Sequence, residues 1–235
     1  MYYAERIYQI NLANAGIAIG VVDLPQLSKH IQSKKKDKIL QIQNKALELS
    51  MFLSLPASVA LIIGSEEIIS ALFGCGSFSE KSVINSAKAL YYFALGLQAF
   101  ALIKVVATFF FADHDTKTHI YIYLVSIILK IFISLYYLKS IGFIIIPIAT
   151  TISSWINSVI LFIYLKNRNL FKFNQIFFIK FTKIILVSVI MGIFFEYLIS
   201  IFANQLVYDY HFKSIYLILS VLLGLAFYLL VSFLI

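Results

Sequence analysis

Seven long and mostly apolar segments follow one another along this chain, and they constrain its fold more than any other feature. A membrane-spanning helix needs about 20 apolar residues, because each residue rises about 1.5 Å across a hydrocarbon core about 30 Å thick. The segments that meet this length are 4–25, 47–73, 86–111, 119–138, 143–165, 176–200 and 214–235. The pattern predicts an all-α, polytopic membrane helix bundle with about seven transmembrane helices.

The composition excludes several classes of protein. Hydrophobic residues make up 61% of the chain and charged residues 13%, whereas about a quarter of an average soluble domain is charged. A soluble enzyme or binding module of this size could not bury so much apolar side chain. The formal charge of +8 is divided among short clusters between the apolar runs, so nucleic acid is not an expected partner.

Basic residues between the predicted helices indicate which way the helices run, because lysine and arginine are enriched in cytoplasmic loops. Twelve lie on one side, namely Lys29, Lys34, Lys35, Lys36, Lys38, Lys45, Lys117, Lys166, Arg168, Lys172, Lys180 and Lys183. Four lie on the other, namely Lys81, Lys88, Lys139 and Lys213. The asymmetry predicts an N-terminus outside the cell and a C-terminus in the cytoplasm.

Charged residues inside the apolar runs are candidates for function, because a charge in a membrane costs about 3 kcal/mol unless it faces a cavity or a partner. Glu5 and Arg6 open the first predicted helix, either as a cavity-facing pair that contacts an anionic head group or as interfacial residues. Lys104 lies about 12 Å from the inner end of the third, which favours a cavity. Lys130 lies near the middle of the fourth, so we expect it to face the bundle interior or a water-filled path, with a buried ion pair as the alternative.

Two further polar groups have a structural interpretation. The fifth predicted helix carries several small polar side chains that favour close helix packing. They are Thr150, Thr151, Ser153, Ser154 and Asn157. Residues 113–119 include two carboxylates and two imidazoles, but their spacing matches no standard metal site and favours a polar turn between helices. The sequence predicts no metal site and no cofactor, and since it holds no GxSxG, HExxH or Walker A motif, we do not expect an enzyme.

Several short stretches in order from residue 2 to about residue 165 together resemble the MurJ/MviN family of lipid II flippases. The first predicted helix begins YYAERIYQ and continues with GIAIG and LPQLS. Later stretches read FLSLPA, LFGCGSF, YFALGL, DTKT and ATT, the last followed by Trp155 and Asn157. The ordered set, rather than any single stretch, carries the resemblance.

The resemblance implies a two-lobed exporter of fourteen helices, of which this chain would supply helices eight to fourteen. Residues 1–165 would form second-lobe helices eight to twelve, and residues 166–235 a terminal two-helix pair with a groove for a lipid tail. Such a protein moves an undecaprenyl-linked peptidoglycan precursor across the bacterial plasma membrane by alternating access. An even-numbered first helix runs from outside to inside, which agrees with the charge asymmetry.

The resemblance also implies a substrate site. Glu5 and Arg6 match an acidic residue and an arginine that line the central cavity, where a guanidinium suits a diphosphate because it offers forked donors and stays charged. Lys104 matches a lysine common in the family. Lys130 lies where members with a sodium site carry Asn or Asp, so its ammonium would take the place of the cation. The expected coupling or cavity residues are Lys130, Gln9 and Thr150.

Three functions are compatible with the sequence. The first is the C-terminal half of a lipid II flippase, working in cell-wall biogenesis with a separate N-terminal half. The second is a non-transporting remnant or membrane interaction subunit that keeps the fold. The third is an exporter of another lipid-linked oligosaccharide. The expected partners are the lipid-linked precursor, membrane lipids and, for the first function, the N-terminal half.

Overall fold

The computed structural model describes residues 1–12, 36–168 and 171–234, and every regular element within those ranges is helical. The α-helices in them are α1 (Tyr2–Leu12), α2 (Lys36–Ile63), α3 (Ser65–Phe73), α4 (Glu80–Ala112), α5 (Thr116–Ile141), α6 (Ile145–Asn167), α7 (Gln175–Ile201) and α8 (Lys213–Leu234). A 3₁₀ turn over Gly142–Ile144 joins α5 to α6. The predicted all-α class is confirmed.

Five segments of the described chain are long and apolar enough to cross a membrane. They are Lys38–Ile63, Glu80–Ala112, Thr116–Asn167, Gln175–Ile201 and Lys213–Leu234. The third contains both α5 and α6, which the 3₁₀ turn separates. The first predicted span, 4–25, is described as far as Leu12, and its remainder lies outside the described residues. The predicted spans from 86 onward correspond one to one with α4 to α8.

The second predicted span, 47–73, is wrong at both ends. α2 begins at Lys36, so its first turns carry charged and amide side chains that hydropathy had assigned to a loop. It ends at Ile63, and α3 follows as a separate short helix. Glycine weakens a helix interior, and Gly64 stands at this junction. A Cβ there would lie 2.9 Å from Cε1 of Phe195, so glycine lets α7 pack closely.

The central helix of the described bundle is α4, against which α1, α2, α3 and α6 all pack. Gly96 brings α6 close, since a Cβ at that position would lie 2.7 Å from Oγ1 of Thr151. The Thr151 hydroxyl donates to the carbonyl of Tyr92 at 2.7 Å, and the Trp155 indole donates to the carbonyl of Leu95 at 3.1 Å. Thr151, one of the small polar residues of the fifth predicted helix, thus serves helix packing, as the sequence indicates.

A second polar contact joins α2 to α4. The Ser54 hydroxyl donates to Oε1 of Gln98 at 2.6 Å, and Nε2 of Gln98 donates to the carbonyl of Ser54 at 3.0 Å. One turn along α2, the Ser58 hydroxyl donates to the carbonyl of Ala94 at 2.7 Å. All three side chains that donate are buried. These bonds matter in a membrane because the hydrocarbon offers no alternative partner.

The last two helices attach to this bundle through α2 and α3. α7 packs against both α2 and α8. Gly192 makes the close approach possible, because a Cβ there would lie 2.5 Å from Cγ1 of Val59. The Tyr228 hydroxyl of α8 donates to the carbonyl of Phe52 at 2.8 Å. The division into domains at residue 165 stays a prediction.

The helices run antiparallel in a way that gathers basic residues at one end. Asn44 donates to the carbonyl of Lys172 at 3.0 Å, and the Tyr164 hydroxyl donates to Asp115 at 2.8 Å. The starts of α2, α5 and α7 therefore lie at the same end as the finish of α4 and α6. We call this the basic end, and its described basic residues are Lys38, Lys45, Lys117, Lys166, Arg168, Lys172, Lys180 and Lys183. That this end faces the cytoplasm stays a prediction.

At the opposite end, a buried ammonium ties two loops together. Nζ of Lys213 donates to the carbonyls of Gly74, at 2.6 Å, and Tyr208. It also lies 4.6 Å from the centre of the Tyr208 ring, whose hydroxyl donates to the carbonyl of Phe78 at 2.7 Å. The start of α8 is thereby fixed to the turn that precedes α4.

We expect Gln98→Leu to lower the free energy of unfolding by about 1–2 kcal/mol, because the buried Ser54 hydroxyl loses its partner. Adding Ser54→Ala to this variant removes the unpaired hydroxyl and should recover part of the loss. Thermal unfolding in detergent, compared across the two single variants and the double variant, measures the effect. Equal stability of Gln98→Leu and the double variant would contradict a paired α2–α4 contact.

Candidate functional site

One face of α1 is fixed to the bundle. Ala4, Ile7 and Tyr8 are buried, and their spacing of three and four residues puts them on a single helix face. The ring of Tyr8 stacks against the rings of Phe93 and Phe100 of α4, with centres 4.9 and 5.2 Å apart. This packing sets the rotation of α1 about its axis and so determines where its other side chains point.

The other face of α1 carries the polar residues. Glu5 and Arg6 are exposed, and Gln9 is half-buried. Nε2 of Gln9 donates to Oε1 of Glu5 at 3.1 Å, whereas the guanidinium of Arg6 lies 4.9 Å from the centre of the Tyr2 ring. Glu5 and Arg6 each contact a different neighbour, since adjacent residues point about 100° apart on a helix. We call Tyr2, Glu5, Arg6 and Gln9 the α1 polar face.

Lys104 lies on the stripe of α4 that faces α1. Phe93, Leu97, Phe100 and Lys104 follow at helical spacing, so Lys104 comes one turn beyond the Phe100 ring that Tyr8 contacts. Its side chain is exposed. α4 has 33 residues and is about 50 Å long, so if a core about 30 Å thick is centred on it, both of its ends extend past that core. Lys104 therefore lies nearer the edge of the core than its distance from the helix end suggests, and its cavity role stays a prediction.

Lys130 is half-buried on α5, whose surface the described residues cover poorly. Ser126 is the one buried residue of this helix. Among its exposed apolar side chains are Tyr121, Leu124, Ile128, Phe132, Leu135 and Tyr136. Within the described ranges no carboxylate lies at salt-bridge distance from Lys130, which leaves the buried ion pair unsupported. The proposed coupling role stays a prediction.

Thr150 lies apart from the α1 polar face and is buried in α6. Its hydroxyl donates to the carbonyl of Ile146 at 2.7 Å. Its own carbonyl accepts bonds from the hydroxyls of Ser153, at 3.0 Å, and Ser154, at 2.7 Å. The donor of Thr150 is thus engaged within its own helix, a pattern typical of structural threonines in membrane helices.

The polar run 113–119 forms the turn between α4 and α5, as predicted. Asp115 caps α5: its Oδ1 accepts from the hydroxyl of Thr118 at 2.8 Å and from the backbone N–H of Thr118 at 3.3 Å. The Tyr164 hydroxyl donates to Oδ2 at 2.8 Å. The Thr118 hydroxyl and, to a lesser extent, the Tyr164 hydroxyl hold the pKa of Asp115 below its ordinary value. The carboxylate also favours the positive end of the α5 dipole.

A groove of about 460 Å³ lies between α2, α7 and α8, and the sequence analysis did not predict the part of it that α2 forms. It is lined by Lys45, Glu48, Leu49 and Phe52 of α2, Lys180, Lys183, Ile184 and Val187 of α7, and Tyr228 and Ser232 of α8. Nζ of Lys180 donates to both carboxylate oxygens of Glu48, at 2.8 and 3.0 Å. The helical spacing of the α2 residues is visible in the sequence, but hydropathy assigned the start of α2 to a loop. We call this feature the basic groove.

Comparison with known proteins identifies relatives of the chain. A family model described as "Lipid II flippase MurJ" matches residues 1–217. The probable lipid II flippase MurJ of Rickettsia prowazekii is 38% identical over 162 residues, which cover 69% of this chain and 32% of the relative. Its counterpart in Rhizobium meliloti is 35% identical over 162 residues, which cover 69% of this chain and 30% of the relative. The matched region is therefore less than a third of either relative.

The fold agrees with a solved structure titled "Lipid II flippase MurJ, inward closed conformation". The two superpose with a TM-score of 0.77 at 24% identity, over 98% of this chain and 45% of that chain. Together with several apolar helices long enough to span a bilayer, the relatives indicate a multi-pass protein of the bacterial inner membrane. Because the family model covers most of its length, the chain belongs to the MurJ lipid II flippase family.

Proposed function

We propose that this chain forms the second lobe and the terminal helix pair of a lipid II flippase. In this role it would help to move an undecaprenyl-linked peptidoglycan precursor across the plasma membrane by alternating access, as a transporter and not as an enzyme. The observation that carries the proposal is the α1 polar face, which presents charged side chains away from an otherwise apolar bundle.

The depth of the α1 polar face favours a cavity over the membrane interface. Tyr8 contacts Phe93, which lies thirteen residues into α4, or about 20 Å along its axis. If a core about 30 Å thick is centred on α4, Phe93 lies about 10 Å inside its edge. On the same placement Arg6, which precedes Tyr8 by two residues or about 3 Å along α1, also lies within the core. A charge at this depth costs about 3 kcal/mol against lipid, whereas a water-filled cavity removes that cost.

The chemistry of this face suits a diphosphate. Arg6 offers a planar fork of donors that matches phosphate oxygens. The Tyr2 ring beside it restricts the guanidinium without neutralising it. Gln9 holds Glu5 through a hydrogen bond, so the acidic side chain is engaged beside the arginine. Lys104 would add a second cation on the α1-facing side of α4.

Alternating access needs two lobes that rock around a shared site. This chain corresponds to 45% of the solved flippase chain that it superposes on. We therefore propose that the chain works with a partner, a first lobe supplied by an N-terminal half. This lobe would close the cavity over the α1 polar face. Residues 166–235 would form a groove for the lipid tail, because α7 and α8 expose many large apolar side chains.

Arg6→Ala should abolish rescue of a MurJ-depleted bacterium by this chain expressed with a first lobe, because the diphosphate loses its forked donor. Arg168→Ala is the matched control, since Arg168 also lies over a tyrosine, 5.1 Å from the Tyr164 ring, but at the basic end. We expect colony counts to fall at least about a hundredfold for Arg6→Ala, because losing a buried contact between charged groups has an effect of about this size. Colony counts should stay unchanged for Arg168→Ala.

Membrane abundance, measured by immunoblot, separates loss of function from loss of protein in this experiment. Full rescue by Arg6→Ala would contradict the substrate role of Arg6. Failure of the unaltered chain to rescue, when it and the first lobe are both present in the membrane, would favour a non-transporting member that keeps the fold.

Lys130→Asn tests the proposed coupling role. An ammonium in the place of a cation makes transport independent of sodium, so the amide should make rescue depend on sodium in the medium. Lys139→Asn is the control, because Lys139 is an exposed lysine of the same helix. Growth at low and high sodium measures the effect. An identical sodium response of Lys130→Asn and the unaltered chain would count against coupling at this position.

A further inference from the structure

We propose that α2 and α8 together form a hinge, in which the Tyr228 hydroxyl of α8 replaces the backbone hydrogen bond that Pro56 removes from α2. When α2 bends at this point, the hydrogen bond of the hydroxyl transfers from α2 to Ser188 of α7. The hinge would let residues 36–52 of α2 move relative to α4. The inference concerns the described bundle itself and does not depend on transport by this chain.

Pro56 stands inside α2 and leaves one backbone carbonyl of this helix without its usual partner. In an α-helix each carbonyl accepts from the N–H four residues later. The residue four positions after Phe52 is Pro56, which has no N–H. The proline ring also presses on the Phe52 carbonyl, and helices bend at such positions. Because hydrocarbon offers no water to this carbonyl, another protein group must supply the donor.

Tyr228 of α8 supplies that donor. Its hydroxyl donates to the Phe52 carbonyl at 2.8 Å, and the centre of its ring lies 5.1 Å from the centre of the Phe52 ring. The Tyr228 side chain is 2% exposed and packs in a cluster with Val187, Met191 and Phe195 of α7. The packing of α7 and α8 therefore holds the hydroxyl at the proline of α2.

The opposite face of α2 is attached to α4 on both sides of the proline. The Ser54 hydroxyl, before Pro56, and the Ser58 hydroxyl, after it, both donate to α4. Two residues turn a helix by about 200°, so these serines lie across α2 from Phe52 and Pro56. A bend at Pro56 would therefore pivot on the α4 face and open the face that Tyr228 contacts.

A second partner makes the contact of Tyr228 reversible. Ser188 of α7 is buried and lies beside the Tyr228 hydroxyl. Within the described part of the chain, the Ser188 hydroxyl makes no hydrogen bond of ordinary geometry. It is therefore free to accept from Tyr228 when the Phe52 carbonyl moves away. Release then leaves no unpaired donor in the hydrocarbon, where such a donor is strongly disfavoured.

The half of α2 that would move is long enough for a small bend to matter. From Lys38 to Phe52 it spans about 21 Å. A change of about 10° at the proline would therefore displace Lys38 by about 4 Å. This half is joined to α7 by the partly exposed ion pair of Glu48 and Lys180, so the start of α7 would move with it. The hinge thus acts on the basic end of the bundle.

Hydrogen exchange of residues 49–63, measured by mass spectrometry on the purified full chain in detergent, tests the hinge because exchange reports local opening of a helix. Tyr228→Phe keeps the ring and removes the hydroxyl. It should speed exchange of this segment about threefold to tenfold, the size expected for one hydrogen bond between membrane helices. In a Pro56→Ala background, the alanine N–H bonds to the Phe52 carbonyl, so Tyr228→Phe should speed exchange less than about twofold.

Tyr216→Phe is the matched control, since it removes a hydroxyl from the same helix at a ring that contacts Phe202 and Tyr210. It should leave exchange of residues 49–63 unchanged, with proline or with alanine at position 56. Equal acceleration by Tyr228→Phe in both backgrounds would overturn the proposal, because the hydroxyl would then act without regard to the proline. So would unchanged exchange in Tyr228→Phe with Pro56 present.

Ser188→Ala tests the second partner. It removes the group that receives the released hydroxyl, so opening of α2 becomes less favourable and exchange of residues 49–63 should slow about threefold. In a Tyr228→Phe background the same substitution should have no effect, because no hydroxyl remains to transfer. An equal effect of Ser188→Ala in the two backgrounds would overturn the transfer of the hydrogen bond to Ser188.

Discussion

The packing of α4 against four neighbouring helices is the constraint on which the rest of this structure depends. Small residues on α4 allow close contact, as at Gly96, and hydrogen bonds from α2 and α6 fix each neighbour in depth as well as rotation. The same helix sets the rotation of α1 through the stacking of Tyr8 on Phe93 and Phe100. The position of the α1 polar face is therefore a consequence of how α4 packs.

Two sets of polar residues in the described part of the chain differ in their surroundings, and the membrane explains the difference. Ser54, Gln98 and Thr150 are buried and hydrogen-bonded inside the bundle, where they hold helices together or satisfy their own helix. Glu5 and Arg6 instead point away from the described bundle. Lipid would penalise such a face and a water-filled cavity between two lobes would not. The difference between these buried residues and the exposed Glu5 and Arg6 makes the α1 polar face the candidate site of this family member.

Much of the fold could be predicted from the sequence, because hydropathy alone identifies long apolar helices such as α4, α7 and α8. Hydropathy failed at the start of α2, because the charged first turns of this helix extend beyond the apolar run. It also failed at Gly64, where the chain breaks between α2 and α3 and packs against Phe195. The candidate residues of α1 were found because charge inside an apolar run is conspicuous. The α2 side of the basic groove was not found, since its charged residues lie on helices far apart in sequence, as with Glu48 and Lys180, which are 132 residues apart.

The measurement that tests the central claim most directly is the access of water to the α1 polar face. Cys75, the single cysteine, is first replaced by serine, and Ile10→Cys and Leu124→Cys are then introduced separately. Ile10 follows Arg6 by one turn and is 63% exposed, whereas Leu124 of α5 is 47% exposed. With the first lobe present in native membranes, a water-soluble maleimide should label Ile10→Cys at least about tenfold faster, because a thiol reacts as its hydrated thiolate. Equally slow labelling at both positions would show that no water-filled cavity lies beside α1.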